Sequence, residues 1–300
     1  MKSLTRQFLR VICRCYPLYS GRGTIANSKI FRSLSETKSS PEITTTLHDG
    51  SSIVVPLDDY IGRSIYYFGD LDYKISWVCK NVLRPGDCVV DIGAHFGLVT
   101  LFASAIVGPK GSVHSFEPHP KFADRIQRSL TLNQRRNVSL HNVALTDEPG
   151  EMTLHVPFDN SGRASLIKPN RPLYEVQIKA VNTTDYFGQL DLNSIRLLKI
   201  DVEGHEEDVF RGGEGFLRTN KPDVILFEEH KKPIREQPVV SFLHDLGYQI
   251  LAIPRANLFM STFPLNGTDR KSCTASHDYV AVNKQATDAG EIRSKLNARA

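Results

Sequence analysis

From residue 88 onward the chain alternates short apolar runs with stretches in which apolar residues recur every three or four positions. Runs of this length mark strands buried on both faces, and the three-to-four spacing marks a helix with one buried stripe. The runs at 88–94, 112–117, 138–144, 195–202, 224–228, 248–253 and 279–282 predict seven strands. Between them, Leu98, Leu101, Phe102, Ala105 and Ile106 form one helical stripe, closed by Gly108-Pro109. Phe122, Ile126 and Leu130 form a second, entered at Pro120. Strands and helices alternating in this way predict an α/β fold with a doubly wound, mostly parallel, seven-stranded, Rossmann-like sheet.

Ahead of this body, β-prone residues at 43–47 and 53–55 flank His48-Asp49-Gly50, a hairpin signal. Leu71, Ile75, Val78 and Val82 predict a helix stopped by Arg84-Pro85-Gly86-Asp87. In the first 14 residues Lys2, Arg6, Arg10 and Arg14 alternate with Leu4, Phe8, Leu9, Val11 and Ile12. This predicts a basic amphipathic helix packed on its own domain, and a helix lying on a membrane or a partner has the same pattern. Arg14 interrupts the apolar stretch too early for a secretory core. The polar residues 33–41 read as a linker. Segment 151–193 carries two further β-like runs, 152–156 and 176–181, around a polar loop at 159–171, and an insertion at a ligand edge is where substrate choice is expected. The expected division is an N-terminal helical segment and linker at 1–41, a main domain at 42–284 with a cofactor half at 84–150 and the insertion at 151–193, and a polar tail at 285–300.

Composition narrows the function only at the margins. Lys and Arg exceed Asp and Glu by four, too small an imbalance to drive nucleic-acid binding. The five cysteines, at 13, 15, 79, 88 and 273, show no Cys-x-x-Cys pair and predict free thiols in a reducing, cytoplasmic setting. No apolar run approaches the roughly 20 residues that span a bilayer. Three Asn-x-Ser/Thr matches, at Asn137, Asn182 and Asn266, carry little weight without a secretory signal.

The first chemical motif is Asp91-Ile92-Gly93-Ala94-His95-Phe96-Gly97, between an apolar strand and an amphipathic helix. Gly93 suits a tight turn, and Gly97 lets helix and strand approach so that a ligand can lie against backbone. Asp91 places a carboxylate where a pyrophosphate-binding turn would avoid one, which favours a ligand carrying positive charge. Twenty-six positions on, the next strand ends in Phe116-Glu117-Pro118, where an acid can accept hydrogen bonds from both ribose hydroxyls of an adenosine. A positively charged adenosine ligand describes S-adenosylmethionine.

The fourth strand ends Lys199-Ile200-Asp201-Val202-Glu203-Gly204-His205-Glu206 and the fifth Phe227-Glu228-Glu229-His230. Asp201, Glu203 and His230 are therefore expected to converge near the cofactor's methyl group. Methyl transfer needs donor and acceptor in line, water excluded and a proton removed from the acceptor. His230, with an imidazole suited to general-base work near neutrality, is the first choice of base and Asp201 the second. The carboxylates also suit orienting a sugar hydroxyl, holding Mg²⁺, or capping the next helix. His205 belongs to that helix's first turn; His95 and His119 read as packing or hydrogen-bonding residues.

These motifs resemble the FkbM-type methyltransferases. The likeness runs from about Leu57 to Val282, three quarters of the chain: Asp59-Tyr60-Ile61-Gly62-Arg63, Phe68-Gly69-Asp70, Arg84-Pro85-Gly86-Asp87, Asp91-Ile92-Gly93-Ala94, Phe116-Glu117-Pro118, Thr184-Asp185, Lys199-Ile200-Asp201-Val202-Glu203-Gly204 with Glu206, and Asp278-Tyr279-Val280-Ala281-Val282. The resemblance implies a class I methyltransferase fold, S-adenosylmethionine as donor, and O-methylation of a sugar, glycan or secondary metabolite. It also implies that Asp91, Gly93, Gly97 and Glu117 line the cofactor, with Ala144 near the adenine. The chain departs from the family at His95, where Asn is usual, and at Asp72, where Glu is usual. Two other classes use similar parts. A nicotinamide-dependent oxidoreductase would want Gly-x-Gly-x-x-Gly, which this turn lacks. A non-catalytic binding module would not need Asp201, Glu203 and His230.

Overall fold

The computed structural model describes residues 2–18, 20–35, 42–168, 170, 173–192, 194–231, 233–255, 259–265 and 276–296. The hairpin forms where Asp49-Gly50 predicts it, with β1 (Glu42–Thr46) antiparallel to β2 (Ser52–Pro56). Asp49 closes the turn by accepting from the Ser51 N–H at 3.0 Å. The run at 138–144 does not form a single strand. β3 (Cys88–Ile92), β4 (Ser112–Phe116) and β5 (Val138–His141) pair in parallel. At Asn142 the chain leaves the main sheet, the side-chain amide donating to the Glu117 and Pro118 carbonyls at 2.7 and 2.9 Å. β6 (Ala144–Thr146) then joins β7 (Gly150–Pro157) and β8 (Leu173–Asn182) in a separate three-stranded sheet, so the two expected strands of the insertion are present with a third partner.

The main sheet continues with β9 (Ile195–Ile200), β10 (Val224–Glu228), β11 (Tyr248–Ile253), a two-residue edge strand β12 (Phe263–Pro264) and β13 (Asp278–Asn283). Its order is β12-β11-β13-β10-β9-β3-β4-β5, eight strands where seven were expected. β12 is too short to leave a periodic pattern. β13 runs antiparallel between β10 and β11, and β9, β10, β3, β4 and β5 are mutually parallel.

Side chains alternate across this sheet. Val89, Val113, Leu197 and Val280 point to one face, under α5 (Tyr73–Val82), α6 (Leu98–Val107) and the last described helix. Val90, Leu198, Ile225 and Ala281 point to the other, under α9 (Glu206–Gly212), α10 (Glu214–Thr219) and α11 (Pro238–Asp245). A third cluster joins β2, α4 (Tyr60–Phe68), α7 (Pro120–Leu132) and the insertion, with α8 (Thr183–Phe187) following β8.

The two ends of the chain differ from the sequence expectation. α1 (Lys2–Arg14), α2 (Arg22–Ala26) and α3 (Lys29–Ser35) reach into the expected linker, the rest of which, 36–41, lies outside the described residues. Residues 285–300, read as a polar tail, contain α12 (Ala289–Lys295), which buries Ala289, Ile292 and the following Leu296 in the core. The helix is tied down by Arg196, whose guanidinium grips both Asp288 oxygens at 2.8 Å. No helix among the described residues is long and apolar enough to cross a membrane.

α4 carries a testable packing constraint. A Cβ at Gly62 would stand 1.8 Å from the Pro56 carbonyl oxygen, where backbone must move. Gly62→Ala is expected to cost about 3 kcal/mol, at the upper end of overpacking, and to lower Tm by several degrees. Gly290→Ala, in α12 with nothing within 4 Å of its Cβ, is the control and is expected to leave Tm unchanged or raise it. Equal melts for the two variants would overturn the constraint.

Candidate functional site

The strand order reverses at β3. The chain steps outward through β4 and β5 on one side and returns to β9 and β10 on the other. The carboxyl ends of these parallel strands share one edge, where open α/β sheets bind ligands. A cavity of about 530 Å³ opens there, inside the roughly 300–1,000 Å³ of small-molecule sites.

Its floor is the glycine turn after β3. Gly93 and Gly97 have φ of 77° and 84°, and the Gly93 and Ala94 N–H groups both donate to the Phe116 carbonyl at 3.0 Å. A Cβ on Gly93 would meet the Asp201 carbonyl oxygen at 1.9 Å, so this glycine lets the tips of β3 and β9 close on each other. Gly93, Glu117 and Ala144 line the cavity; Asp91 and Gly97 do not. Gly97 makes room for Ile126. Asp91, wholly buried beneath the turn, accepts from Thr100 Oγ1 at 2.7 Å and faces Lys199 Nζ at 3.3 Å. Lys199 donates to the Ile92 and Gly93 carbonyls at 3.1 and 2.7 Å. Burial works against its charge, but Asp91 and Asp201 outweigh that and hold its pKa above the usual lysine value. An ammonium thus braces the turn from below. Sequence reasoning passed over Lys199, although a lone lysine in the apolar strand Leu197-Leu198-Lys199-Ile200 needs a buried partner.

Glu117 stands at the tip of β4. Its Oε2 accepts from the His95 N–H at 2.7 Å and its Oε1 from the His119 N–H at 2.9 Å. Each oxygen keeps lone-pair capacity toward the cavity. Burial pushes its pKa up to about 7. His95 lines the same wall. Burial, then the Lys199 charge, lowers its pKa to about 3, so it is neutral, and Nε2 contacts Ser161 Oγ at 2.9 Å. His119 caps α7 through Lys121 N at 3.1 Å, and His205, just before α9 and on the cavity wall, contacts Thr146 Oγ1 at 3.1 Å.

Away from Glu117 the cavity is rich in carboxylates. Asp201 and Glu203 follow β9, Glu228 ends β10 and Asp278 opens β13 directly across from it in register. Burial first, and then the Asp201 and Glu206 charges, raises Glu203 to about 8. Burial, followed by Asp201 and Glu203, pushes Glu228 well up. Asp278 is raised by burial and by Asp72, although it pairs with Lys74. Glu206 takes the capping role, accepting from the Val202 and Gly204 N–H groups at 2.9 and 3.0 Å. Glu203 itself has φ of 55°, a strained conformation for a non-glycine residue beside a site.

His230 is half exposed and lines a smaller neighbouring cavity rather than the main one. Its Nε2 lies 3.1 Å from Glu228 Oε1, so Glu228 stands between His230 and the main cavity. Glu228 was visible as a strand-end acid but stood next to a more familiar base. The ligand atoms of Glu203, Glu228 and His230 fall within 4.8 Å of one another, a donor set that a divalent cation fits. The contact between Glu228 and His230 accounts for much of that spacing without an ion.

The residues present fit S-adenosylmethionine. Glu117 offers acceptors for two ribose hydroxyls, and the raised carboxylates show a wall short of positive charge, which a sulfonium and an ammonium would supply. A mostly parallel sheet with its reversed strand inserted between β10 and β11 defines a class I methyltransferase fold.

The chain belongs to the methyltransferase FkbM domain family, whose profile matches residues 91–250. It is 30% identical over 144 residues to Methyltransferase 1 of Beauveria bassiana, a match spanning 41% of this chain and 57% of that protein. It is 29% identical over 203 residues to the 31-O-demethyl-FK506 methyltransferase FkbM of Streptomyces tacrolimicus, covering 57% of this chain and 75% of that one. Over 168 residues it is 28% identical to the 2-O-methyltransferase NoeI of Sinorhizobium fredii, covering 48% and 67%. Membership sets the glycine turn with methyltransferases rather than with nicotinamide oxidoreductases.

Proposed function

We propose that this chain transfers the methyl group of S-adenosylmethionine to a hydroxyl of a neutral, hydroxyl-rich acceptor such as a sugar, a glycan or a secondary metabolite. The observation that carries the reading is one cavity lined both by Glu117, whose oxygens can accept from ribose hydroxyls, and by a wall of Asp201, Glu203 and Glu228. Hydroxyls are the donors such a wall accepts, and phosphates or nucleic acid are what it repels. Two relatives are O-methyltransferases by name, which supports oxygen as the atom methylated.

S-adenosylmethionine, when bound, supplies an electrophilic methyl on a positively charged sulfur. Glu117 holds the ribose hydroxyls. Asp201 and Glu203 accept hydrogen bonds from acceptor hydroxyls and set the reacting oxygen in line. Beside the sulfonium charge of the bound donor Glu228 returns to its ionised form, and the carboxylate takes the proton from that oxygen and passes it through His230, 3.1 Å away, to solvent. His230 thus serves as a relay behind Glu228 rather than as the group touching the acceptor.

The test is methyl transfer from isotopically labelled donor to neutral polyols and to their phosphorylated counterparts. Label is expected in the neutral set. Glu228→Gln is expected to lower kcat about a hundredfold, the scale of a lost general base, and His230→Ala to lower kcat less, each leaving the Kd for S-adenosylhomocysteine within a few-fold. Label confined to the phosphorylated set, or an unchanged kcat in Glu228→Gln, would overturn the assignment. Homocysteine-compound binding with no transfer to any acceptor would favour a binding module.

A further inference from the structure

We infer that α1 and α3 form a docking face for an anionic phospholipid bilayer, with α1 lying in the boundary between headgroups and acyl chains. α1 is mounted with its arginines inward, beside the buried Cys13 and the half-buried Leu9. Arg6 and Arg10 lie over the Tyr66 ring at 5.6 and 5.4 Å from its centroid, Arg10 donates to Thr46 Oγ1 at 2.9 Å, and Arg14 donates to the Thr46 carbonyl. The apolar stripe consequently faces out: Leu4, Phe8, Val11 and Ile12 are 72, 65, 64 and 51% exposed, at the spacing of a single helical face. Ile30 of α3, 67% exposed between the exposed Lys29 and Arg32, adds to it. An ordinary surface helix has the opposite arrangement, so burial in this domain's own core does not explain the stripe.

Charge selects the occupant. Residues 1–35 contain Lys2, Arg6, Arg10, Arg14, Arg22, Lys29 and Arg32 and no acidic residue, a formal charge of +7. The whole chain carries +4, which leaves −3 for everything after residue 35. A second copy docking through this face would set one positively charged segment against another. A surface that is apolar below and negatively charged above complements both properties: the exposed Lys29 and Arg32 beside Ile30 can meet phosphate, while Arg6, Arg10 and Arg14, on the domain side of α1, add only longer-range attraction. With 13 residues, α1 lies on a bilayer rather than across it. Ser20 to Thr24, a few residues after α1, line the main cavity, so the docked face and the cavity belong to one extension of the chain.

The experiment is co-sedimentation of the full chain with vesicles of phosphatidylcholine alone and of phosphatidylcholine mixed with phosphatidylglycerol, at low and high salt. The expected result is binding to the mixed vesicles, lost on adding salt and at least about tenfold weaker in the double variant Phe8→Asp and Val11→Asp. Both positions are exposed, so the variant's melt is expected to match that of the unsubstituted chain. Absence of binding to the mixed vesicles, equal binding by the double variant, or equal binding to phosphatidylcholine alone would overturn the proposal. So would a self-association in sedimentation velocity that the double variant abolishes while vesicle binding is absent, which would assign the face to a second copy.

Discussion

Replacing Glu117 by alanine is expected to raise the Kd for S-adenosylhomocysteine at least about a hundredfold, because two charge-assisted hydrogen bonds to ribose are lost, each worth roughly 1.5–3 kcal/mol. The carboxylate also organises the protein side of the site. The His95 and His119 N–H groups that it accepts belong to the first turns after β3 and β4, so its removal leaves two buried donors unpaired. Glu117→Gln does not repair this: one of its two positions becomes an NH₂ facing a backbone N–H. Both variants are therefore expected to bind weakly, with alanine and glutamine alike lowering Tm as well. Isothermal calorimetry checks the first effect and a melt without ligand the second. A Kd within about threefold of the unsubstituted protein in a folded Glu117→Ala would remove the ribose assignment while leaving the fold untouched.

The second large effect is expected beneath the site. Lys199→Met is expected to destabilise the chain by about 3–5 kcal/mol, the usual result of removing one partner from a buried ion pair. The methionine fills a similar volume, so packing is kept and the cost is electrostatic. Asp91 loses its counter-charge in a site with no exposure at all, and the Ile92 and Gly93 carbonyls lose their donor. Asp91→Asn combined with Lys199→Met removes the stranded charge, and the pair is expected to cost less than the sum of the single changes. Additive losses in urea titrations would mean that Lys199 acts only through the carbonyls and that Asp91 is an independent element.

How far the sequence could be read depended on how each segment is buried. Most strands of the main sheet were legible because a strand covered on both faces is mainly apolar: 88–92, 195–200 and 224–228 each carry no more than two polar residues, whereas in 112–116 only Val113 and Phe116 are apolar. α4 was not, because Ile61 through Phe68 are all buried and an all-round buried helix has no polar face to set a period. Even Arg63 is inside, held by the Leu57 carbonyl and Asn27 at 3.0 and 2.8 Å. α12 offered Ile292 and Leu296 at helical spacing, but two apolar residues in a charged stretch look like a tail until Arg196 is seen gripping Asp288. In the site, the ends of β3, β4 and β9 were legible as motifs. The roles within them were not, since which strand-end acid faces the cavity depends on register. The pairing of Glu228 with Asp278 joins residues 50 positions apart in sequence. Likewise Asp91 looked like a cavity residue by its place in the motif, and the pleat of β3 turns it downward to Lys199.

The position of β13 also bears on how the molecule is made. Its six residues wedge between β10 and β11, and they follow both in the chain. A ribosome releasing the chain from its N-terminus delivers β10 and β11 before the strand that separates them, so for that interval each presents an open hydrogen-bonding edge. Asp278, the first residue of β13, arrives in the same step, and with it the second of the two carboxylates that pair with Lys74. The sheet and the acidic wall therefore close together, and nascent chains halted before residue 278 would lack both.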